Sequence, residues 1–540
     1  MPVLETAVDP RAQAFQANRS AMLALIEEFR GLEARVRANS QKSRPRFAAR
    51  NQLLPRERLE LLLDRGTPFV ELSTLAGYKT YDDDGDANIS GGRIITGIGF
   101  VAGVRAMLYV SDSGIKAGAY HVMGLQKSLR AQEIALEQKL PLLQLVESGG
   151  ADLLDYVPET FVRGGGMFYN MARLSAAGVP VITLVHGSST AGGAYMPGMS
   201  DYTIMVRGRA KAFLAGPPLV KAAIGEVATD EELGGTDMHA TVSGLTEYVA
   251  DTDAEAIALL RDVVGRLGWN RHLAPAPATT FRDPRHDIDE LCGIVPIDYR
   301  RPYDVREVIA RLVDDSDYLE FKALLDPHTI CGHAAIHGHV VGILGNNGPI
   351  TADGAAKAGQ FIQLCDQAGT PLVFLQNTTG YIVGTDPERR GIIKHGAKMI
   401  QAVSNARVPK LTLMLGGSFG AGNYGMCGRA YEPRFLLGWP NYRIAVMGAE
   451  QAAMVMQIVH TAAAERRGQP LTEAQREAMR GRVIELYESQ SSALYATARL
   501  WDDGLIDPRD SRRVLGFLLD TCHEAARRTL HPNSFGVARF

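Results

Sequence analysis

The chain has 540 residues, 46% hydrophobic and 22% charged, with 56 glycines, 26 prolines and five cysteines. At about 100–200 residues per domain this length implies two or more domains, each able to bury a core. Glycine is above its usual ~7% share but follows no Gly-X-Y period and no Ser/Pro tract, which excludes collagen and low-complexity linkers. A formal net charge of −3 offers no electrostatic footprint for nucleic acid or an anionic membrane.

Cys292, Cys331, Cys365, Cys427 and Cys522 form no CxxC pair and read as reduced thiols, pointing to the cytoplasm. The start of the chain lacks a basic-then-apolar signal pattern, and Glu5 and Asp9 are foreign to a transit sequence. No run of eighteen apolar residues is present, so no membrane span is expected.

In chain order, residues 19–36 place Met22, Leu25, Ile26, Phe29, Leu32 and Val36 on one helical face, the pattern of a docking helix. Asp82, Asp83, Asp84 and Asp86 resemble a calcium loop, but neither the glycine at six nor the glutamate at twelve registers. A solvated acidic loop is the expectation. Residues 97–103 carry Gly97, Gly99 and Gly103 between strand-like runs and read as a hairpin rather than a dinucleotide fingerprint. A strand over 106–110 and a helix over 123–139 follow, then a buried-strand run from Pro141 ending at Gly149 and Gly150. The triplet Gly164, Gly165 and Gly166 reads either as a flexible loop under Phe168 or as space in a binding pocket.

The segment 274–284, rich in Ala and Pro and without period, predicts a domain boundary, giving domains 1–283 and 284–540. Beyond it, Cys331, His333, His337 and His339 share one face only if their segment is one continuous strand. Gly332 and Gly338 argue against that, and no metal is expected. A strand over 339–344 and a helix over 355–368 lead to a second buried run.

These elements repeat. PLLQLVESGG at 141–150 is echoed by PLVFLQNTTG at 371–380, and PVITLVHGSSTAGGAY from 180 by PKLTLMLGGSFGAGNY from 409. Proline, apolar strand, small-residue turn and tyrosine recur in order, so one α/β domain is duplicated. In both copies a glycine-bearing turn follows a strand and opens a helix. Ala191, Gly192, Gly193 and Ala194 form one turn; Gly420, Ala421 and Gly422 form the other. Backbone N–H groups there can bind a phosphate or hold a developing oxyanion. Gly416, Ser418 and Gly420 also satisfy G-x-S-x-G, with His460 or His523 and Asp502 downstream, so a serine hydrolase using Ser418 is an alternative. The repeat partner, 187–191, keeps the turn and loses that motif, which favours the turn as the shared feature.

With these residues in view the chain resembles the carboxyltransferase (β) subunit of biotin-dependent acyl-CoA carboxylases, in the geranyl-CoA and methylcrotonyl-CoA branch. The most specific stretches are Phe213-Leu-Ala-Gly-Pro-Pro-Leu-Val-Lys221, Gly225-Glu226-Val227 with Glu232-Leu233-Gly234-Gly235, and Asn423-Tyr-Gly-Met-Cys-Gly-Arg-Ala-Tyr431. The resemblance implies two tandem crotonase-like (ClpP/crotonase superfamily) domains, with acyl-CoA on the N-terminal one and carboxybiotin on the C-terminal one. It implies backbone oxyanion holes at Gly192 and Gly193 and at Gly420, Ala421 and Gly422. Carboxybiotin would release CO2, its nitrogen would take a proton from the acyl-CoA, and the carbanion would attack CO2 without a side-chain base. An α subunit with biotin carboxylase and biotin carrier functions is the implied partner, in an α6β6 assembly around a β hexamer.

Methylcrotonyl subunits of that family carry a bulky aromatic where this chain has Gly164. Its loss, with Gly165, Gly166, Ala191 and Ala194 beside it, implies a pocket for the longer geranyl chain. The added carbons would contribute about 4 kcal/mol before ordering costs. Geranyl-CoA is therefore the expected substrate and 3-methylcrotonyl-CoA the alternative.

Overall fold

The computed structural model describes residues 3–150, 152, 158–276 and 280–532. Within the expected boundary segment, residues 277–279 lie outside the described residues. The chain divides into two compact units, one of Gly31–Pro277, Ala498–Leu500 and Asp520–Phe540, the other of Met1–Arg30, Ala278–Thr497 and Trp501–Leu519. Helix α1 (Gln13–Gln41) is shared between them by sequence. It is longer than its apolar stripe suggested and buries Met22, Ile26, Phe29, Leu32 and Val36.

The unit that starts at Gly31 holds helix α2 (Pro55–Leu62) and an eight-stranded sheet in the order β1 (Val70–Leu72), β2 (Ile94–Val101), β3 (Val104–Ser111), β4 (Leu142–Ser148), β5 (Val181–Thr190), β6 (Tyr202–Val206) and β8 (Tyr248–Ala250), with β7 (Lys211–Phe213) on the end of β5. β2 and β3 form the expected hairpin: Ala102 and Gly103 both adopt positive φ, +49° and +74°, the geometry of a type I′ turn that matches strand twist. Gly97 and Gly99 lie inside β2 instead of the turn. A Cβ on Gly97 would stand 2.6 Å from the Phe69 ring, so these glycines admit packing neighbours. From β3 to β6 the pairing is parallel, with helix α3 (Val122–Glu137) crossing between β3 and β4 and helix α4 (Pro158–Ala176) between β4 and β5. Leu142, Leu143, Leu145, Val181, Ile182 and Leu184 are at most 1% exposed, as strands covered on both faces require. Helix α5 (Asp253–Arg266) adds Ile257, Leu260 and Val264 to the same core.

Two expectations change here. The glycine triplet 164–166 sits inside α4, not in a loop; neighbours Met167, Met171 and Leu174 anchor the helix by burial despite about 1 kcal/mol of helix cost per glycine. The acidic segment is not uniformly solvated either. Asp82 pairs with Arg93, Lys116 and His121, and buried Asp83 accepts from the N–H of Gly85 at 2.9 Å and of Ser90 at 3.0 Å.

The second unit repeats the plan in the order β14 (Phe435–Gly438), β13 (Lys410–Phe419), β12 (Leu372–Thr378), β11 (His339–Asn346), β10 (Thr329–Ile336) and β9 (Leu319–Glu320), with β15 (Arg443–Ala445) on the end of β13. Helix α6 (Ala352–Ala368) crosses between β11 and β12, and α7 (Ile392–Asn405) between β12 and β13. α6 is capped by Thr351 Oγ1, which accepts from Gly354 N–H at 2.9 Å, and stops at Gly369 with φ +70°. Helices α8 (Ala449–Arg466) and α9 (Glu473–Ser491) follow β15, and α10 (Ser511–Arg527) closes the chain order. Cys331 and His333 lie on β10, His337 in a second positive-φ hairpin turn with Gly338, and His339 opens β11; they do not share one strand.

The duplication reaches buried polar groups. Lys127 on α3 donates to the carbonyls of Gly91 (3.2 Å) and Ile94 (2.6 Å), and Lys357, 230 residues later on α6, donates to those of Leu325 (3.0 Å) and Asp326 (3.4 Å). Each lysine replaces water for a loop whose carbonyls point inward.

Candidate active site

Both glycine turns are built by the same local devices. β4 ends at Ser148, whose hydroxyl accepts from Gly150 N–H at 3.2 Å; β12 ends at Thr378, whose hydroxyl accepts from Gly380 N–H at 3.2 Å. Gly150 (φ +89°) and Gly380 (φ +113°) turn back across the neighbouring strand end. Added Cβ atoms would come to 3.4 Å from Thr190 O and 3.3 Å from Phe419 O. Each pair of strands slips register just before this point and resumes as Ser148 opposite Ser189 and Thr378 opposite Ser418.

At the exits of β5 and β13 the chain turns left-handed at equivalent residues, Ala191 (φ +54°) and Gly420 (φ +53°). A 3-10 turn, Ala191–Ala194, follows in the first copy and a one-turn helix, Gly422–Gly425, in the second. Alanine in the left-handed region carries strain of roughly 1 kcal/mol, and such strain clusters at functional sites. Among the described residues no protein acceptor takes the N–H of Gly192, Gly193, Ala421 or Gly422. Gly420 differs from the sequence expectation: its N–H donates to Ala445 O at 3.0 Å, completing the β13–β15 pairing. The donor pair on the second turn is therefore Ala421 and Gly422, with Gly420 supplying the left-handed bend.

A cavity of about 630 Å³ opens on the second turn. Gly420, Ala421, Asn423, Tyr424, Val446, Leu486, Tyr487, Gln490 and Trp501 contribute to its wall. Uncommitted N–H donors beside aromatic and aliphatic walls suit a small ligand with a polar acceptor and an apolar remainder. No charged side chain lines it.

Next to the first turn, Gly192 faces Phe168 of α4. A Cβ on Gly192 would lie 3.6 Å from Phe168 Cζ, and the Phe168 ring meets Tyr195 edge-on at 5.4 Å. One helical turn before Phe168, an added Cβ on Gly164 would find Leu125 of α3 at 3.8 Å. On Gly165 it would meet nothing within 4 Å, and on Gly166 Leu129 at 3.1 Å. A side chain at Gly164 would thus rest on Leu125 without a clash, Gly165 lies on the exposed face of α4, and Gly166 serves close helix packing.

Behind the first turn lies a charge network that no sequence motif announces. Arg58, 1% exposed, donates to Glu147 Oε2 at 2.7 Å and stands 3.6 Å from Asp253, which pairs with His186 Nδ1 at 2.8 Å. Glu147 also accepts from Ser113 Oγ at 2.9 Å. Its carboxylate fills the space a Cβ on Gly187 would need, 2.5 Å away, just as Asn377 Oδ1 does opposite Gly416 at 2.4 Å. The signal available in the sequence was a charged residue and a histidine inside two apolar strand runs. Their partners, at 58 and 253, are too distant in sequence for any motif to join.

Burial, and then the charge of Arg58, bring the His186 imidazole down to about 4. Burial raises the Asp253 carboxyl, but its hydrogen bond and charge interaction with His186 and the charge of Arg58 outweigh that and hold it at about 2. A folded-state value below the usual 6.5 means the unfolded chain takes up the histidine proton first. This stabilisation is complete above pH 6.5 and is lost as pH falls toward 4; the Asp253 contribution follows between 3.8 and 2. His186→Gln is expected to flatten the fall in melting temperature between pH 6.5 and 4.5. An unchanged slope would assign acid sensitivity elsewhere.

Ser418 does not have a nucleophile's surroundings. It is fully buried in β13, and its hydroxyl accepts from Gln376 Nε2 at 2.9 Å and Asn423 Nδ2 at 2.7 Å. Asp502 is engaged by Tyr442 and Thr497, and among the described residues no histidine is hydrogen-bonded to the serine. The hydrolase alternative is not supported.

Residues 47–537 match the carboxyl transferase domain family. The chain is 55% identical to the β subunit of P. aeruginosa geranyl-CoA carboxylase, whose crystal structure superposes with a TM-score of 0.93 over 100% of both chains. It is 50% identical over 540 residues to the probable biotin-dependent acyl-coenzyme A carboxylase beta2 subunit of Mycobacterium tuberculosis, covering 99% of this chain and 100% of the relative. It is 45% identical to the probable mitochondrial methylcrotonoyl-CoA carboxylase beta chain of Drosophila melanogaster, covering 99% and 95%. The chain belongs to the carboxyl transferase domain family, and its two α/β units are crotonase-like domains in tandem.

Proposed function

We propose that the protein is the carboxyltransferase (β) subunit of a biotin-dependent acyl-CoA carboxylase and that it carboxylates geranyl-CoA at the γ-carbon, the 3-methyl position. The duplicated turn supports the reaction class: two sets of uncommitted backbone donors, one per reactant. The unit that starts at Gly31 and carries the first turn takes the acyl-CoA, and the unit that carries the second turn takes the biotin. Biotin, carried on a separate α subunit with its biotin carboxylase, supplies CO2 and a nitrogen able to accept the γ-proton. Gly192 and Gly193 N–H hold the thioester oxygen as negative charge develops there. Ala421 and Gly422 N–H hold the urea oxygen in the cavity beside the second turn. Because the 2-enoyl thioester spreads charge from the γ-carbon to that oxygen, stabilising one oxygen acidifies a remote methyl group, and no side-chain base is needed.

Gly164 carries the choice of substrate. Its missing side chain, with Gly165, Ala191 and Ala194 as small neighbours in the same pocket reading and Gly166 packed on Leu129, provides room for the chain beyond the reacting end. The 55% identity to the P. aeruginosa geranyl-CoA carboxylase β subunit supports the same choice. The second reading, 3-methylcrotonyl-CoA, has its own support in relatives such as the M. tuberculosis 3-methylcrotonyl-coenzyme A carboxylase beta1 subunit, 47% identical over 512 residues. In the cytoplasm of a bacterium the β subunit would work as a homo-oligomer, a hexamer within an α6β6 complex.

The deciding experiment compares kcat/KM for the two thioesters in the complex reconstituted with the α subunit. Gly164→Phe is then expected to shift preference from geranyl-CoA toward 3-methylcrotonyl-CoA. The backbone admits the change, since the nearest neighbour of a Cβ there is Leu125 at an ordinary 3.8 Å. A buried ring of ~150–250 Å² would fill the volume the longer chain uses. Equal loss with both substrates would leave Gly164 only a backbone role and remove the pocket as a ground for geranyl-CoA.

A further inference from the structure

The N–H donors of the second turn satisfy only one side of a cyclic urea, and we propose that Gln490 satisfies the other: its side-chain amide is the acceptor that orients the biotin ring. This rests on reading the cavity beside Gly420 as the carboxyl-donor site. A cyclic urea presents one C=O flanked by two N–H groups. With the oxygen on Ala421 and Gly422 and the carboxyl group on one nitrogen, the remaining N–H needs an acceptor inside a largely apolar pocket. An unpaired donor there would weaken binding severalfold.

Three cavity-lining residues carry uncharged polar side chains beyond the wall tyrosine at 424: Asn423, Tyr487 and Gln490. The Asn423 amide is packed flat on Gly428 and turned toward Ser418. Nδ2 donates to Ser418 Oγ at 2.7 Å, and Oδ1 lies 2.0 Å from where a Cβ on Gly428 would stand. Gln490 lies one turn beyond Leu486 on α9, so the two share the helix face that borders the cavity. Among the described residues its amide makes no intramolecular hydrogen bond. A planar amide offers a carbonyl oxygen with two lone pairs to the ring N–H, and its reach from an exposed helix end needs no rearrangement of the core. Gln490 is a positioning residue for the donor ring and touches no acyl-CoA group.

The cavity contains its own reporter. Of the three tryptophans, Trp269 and Trp439 are buried, whereas Trp501 is 38% exposed on the cavity wall. Free biotin titrated into the full chain is expected to change tryptophan fluorescence, and Trp501→Phe to abolish the signal. Gln490→Met is expected to raise the biotin Kd about fivefold. Gln490→Glu, which keeps an acceptor oxygen, and Tyr487→Phe should each stay within about twofold of wild type. In the reconstituted complex the KM for acyl-CoA should be unchanged by Gln490→Met. An unaltered Kd in Gln490→Met, a larger loss in Tyr487→Phe, or a parallel rise in acyl-CoA KM would overturn the role of Gln490. No response of wild-type Trp501 to biotin would overturn the cavity assignment itself, a different outcome from equal binding by all variants.

Discussion

Replacing Gly422 by alanine is expected to lower kcat about 10²–10³-fold, the effect typical of losing one oxyanion donor. A single methyl group suffices because of what faces it. An added Cβ would stand 2.8 Å from Gly380 Cα and 2.8 Å from Thr378 Cγ2, a backbone atom and a side chain already tied to Gly380 N–H. The turn must move, and with it the N–H groups of Ala421 and Gly422. Gly192 is the control in the other copy: there the Cβ meets only Phe168 Cζ at 3.6 Å, so Gly192→Ala should retain activity within a few fold. Melting temperature and acyl-CoA KM measured alongside separate a displaced donor from a collapsed fold. Equal kcat for the two alanine variants would remove the second turn from the mechanism.

Arg58→Met is expected to cost about 3–5 kcal/mol of stability, the usual penalty for leaving a buried partner uncompensated. Glu147 would keep Ser113 Oγ, and Asp253 would keep His186, the N–H of Leu53 and a looser ion pair with Arg209 at 3.9 Å, in a site where Arg58 is 1% exposed. Glu147 precedes Ser148, the residue that fixes Gly150, so the damage is expected to extend to kcat as well. Arg58→Met combined with Glu147→Gln should recover part of the stability because the orphaned charge is gone. Urea unfolding of the two variants reads this directly. A double variant no more stable than the single one would mean that Arg58 acts through packing on Phe47, whose ring lies 5.5 Å from its guanidinium, and not through charge.

The repeat was legible because its parts are local. An apolar run flanked by proline and small residues has few conformations open to it, and both copies of β4–β5 and β12–β13 fall where the pattern predicts. The hairpin at 97–103 was legible for the same reason. The glycine triplet was not: three glycines have no intrinsic helix tendency, and only Met167, Met171 and Leu174 downstream, by burying themselves, commit α4 to a helix. The acidic segment misled because charge predicts solvent unless a distant cation intervenes, and Arg93 and Lys116 do. At the site, the residues of both turns were legible, but the commitment of Gly420 N–H to Ala445 was not. Backbone pairing between a strand end and a short strand 25 residues later leaves no mark on side-chain identity.

The division of the chain into units has a consequence for its biosynthesis. The unit that begins at Gly31 has its last strand by residue 250 but is completed only from Asp520 onward. Arg105 waits for Glu524 (2.9 Å) and Thr521 (3.0 Å), and Lys139 for the carbonyl of Arg528 (2.7 Å). At about 5–20 residues per second a ribosome needs roughly 10–50 s to add the intervening residues, during which that sheet stands without the residues from Asp520 that complete its unit. The other unit is delayed in the opposite sense: Leu4 and Thr6 emerge first and are held until Ser316 and Glu307 are made. Translation speed and chaperone supply, more than equilibrium stability, should therefore govern the yield of this chain, and slower synthesis would lengthen the exposure it has to survive.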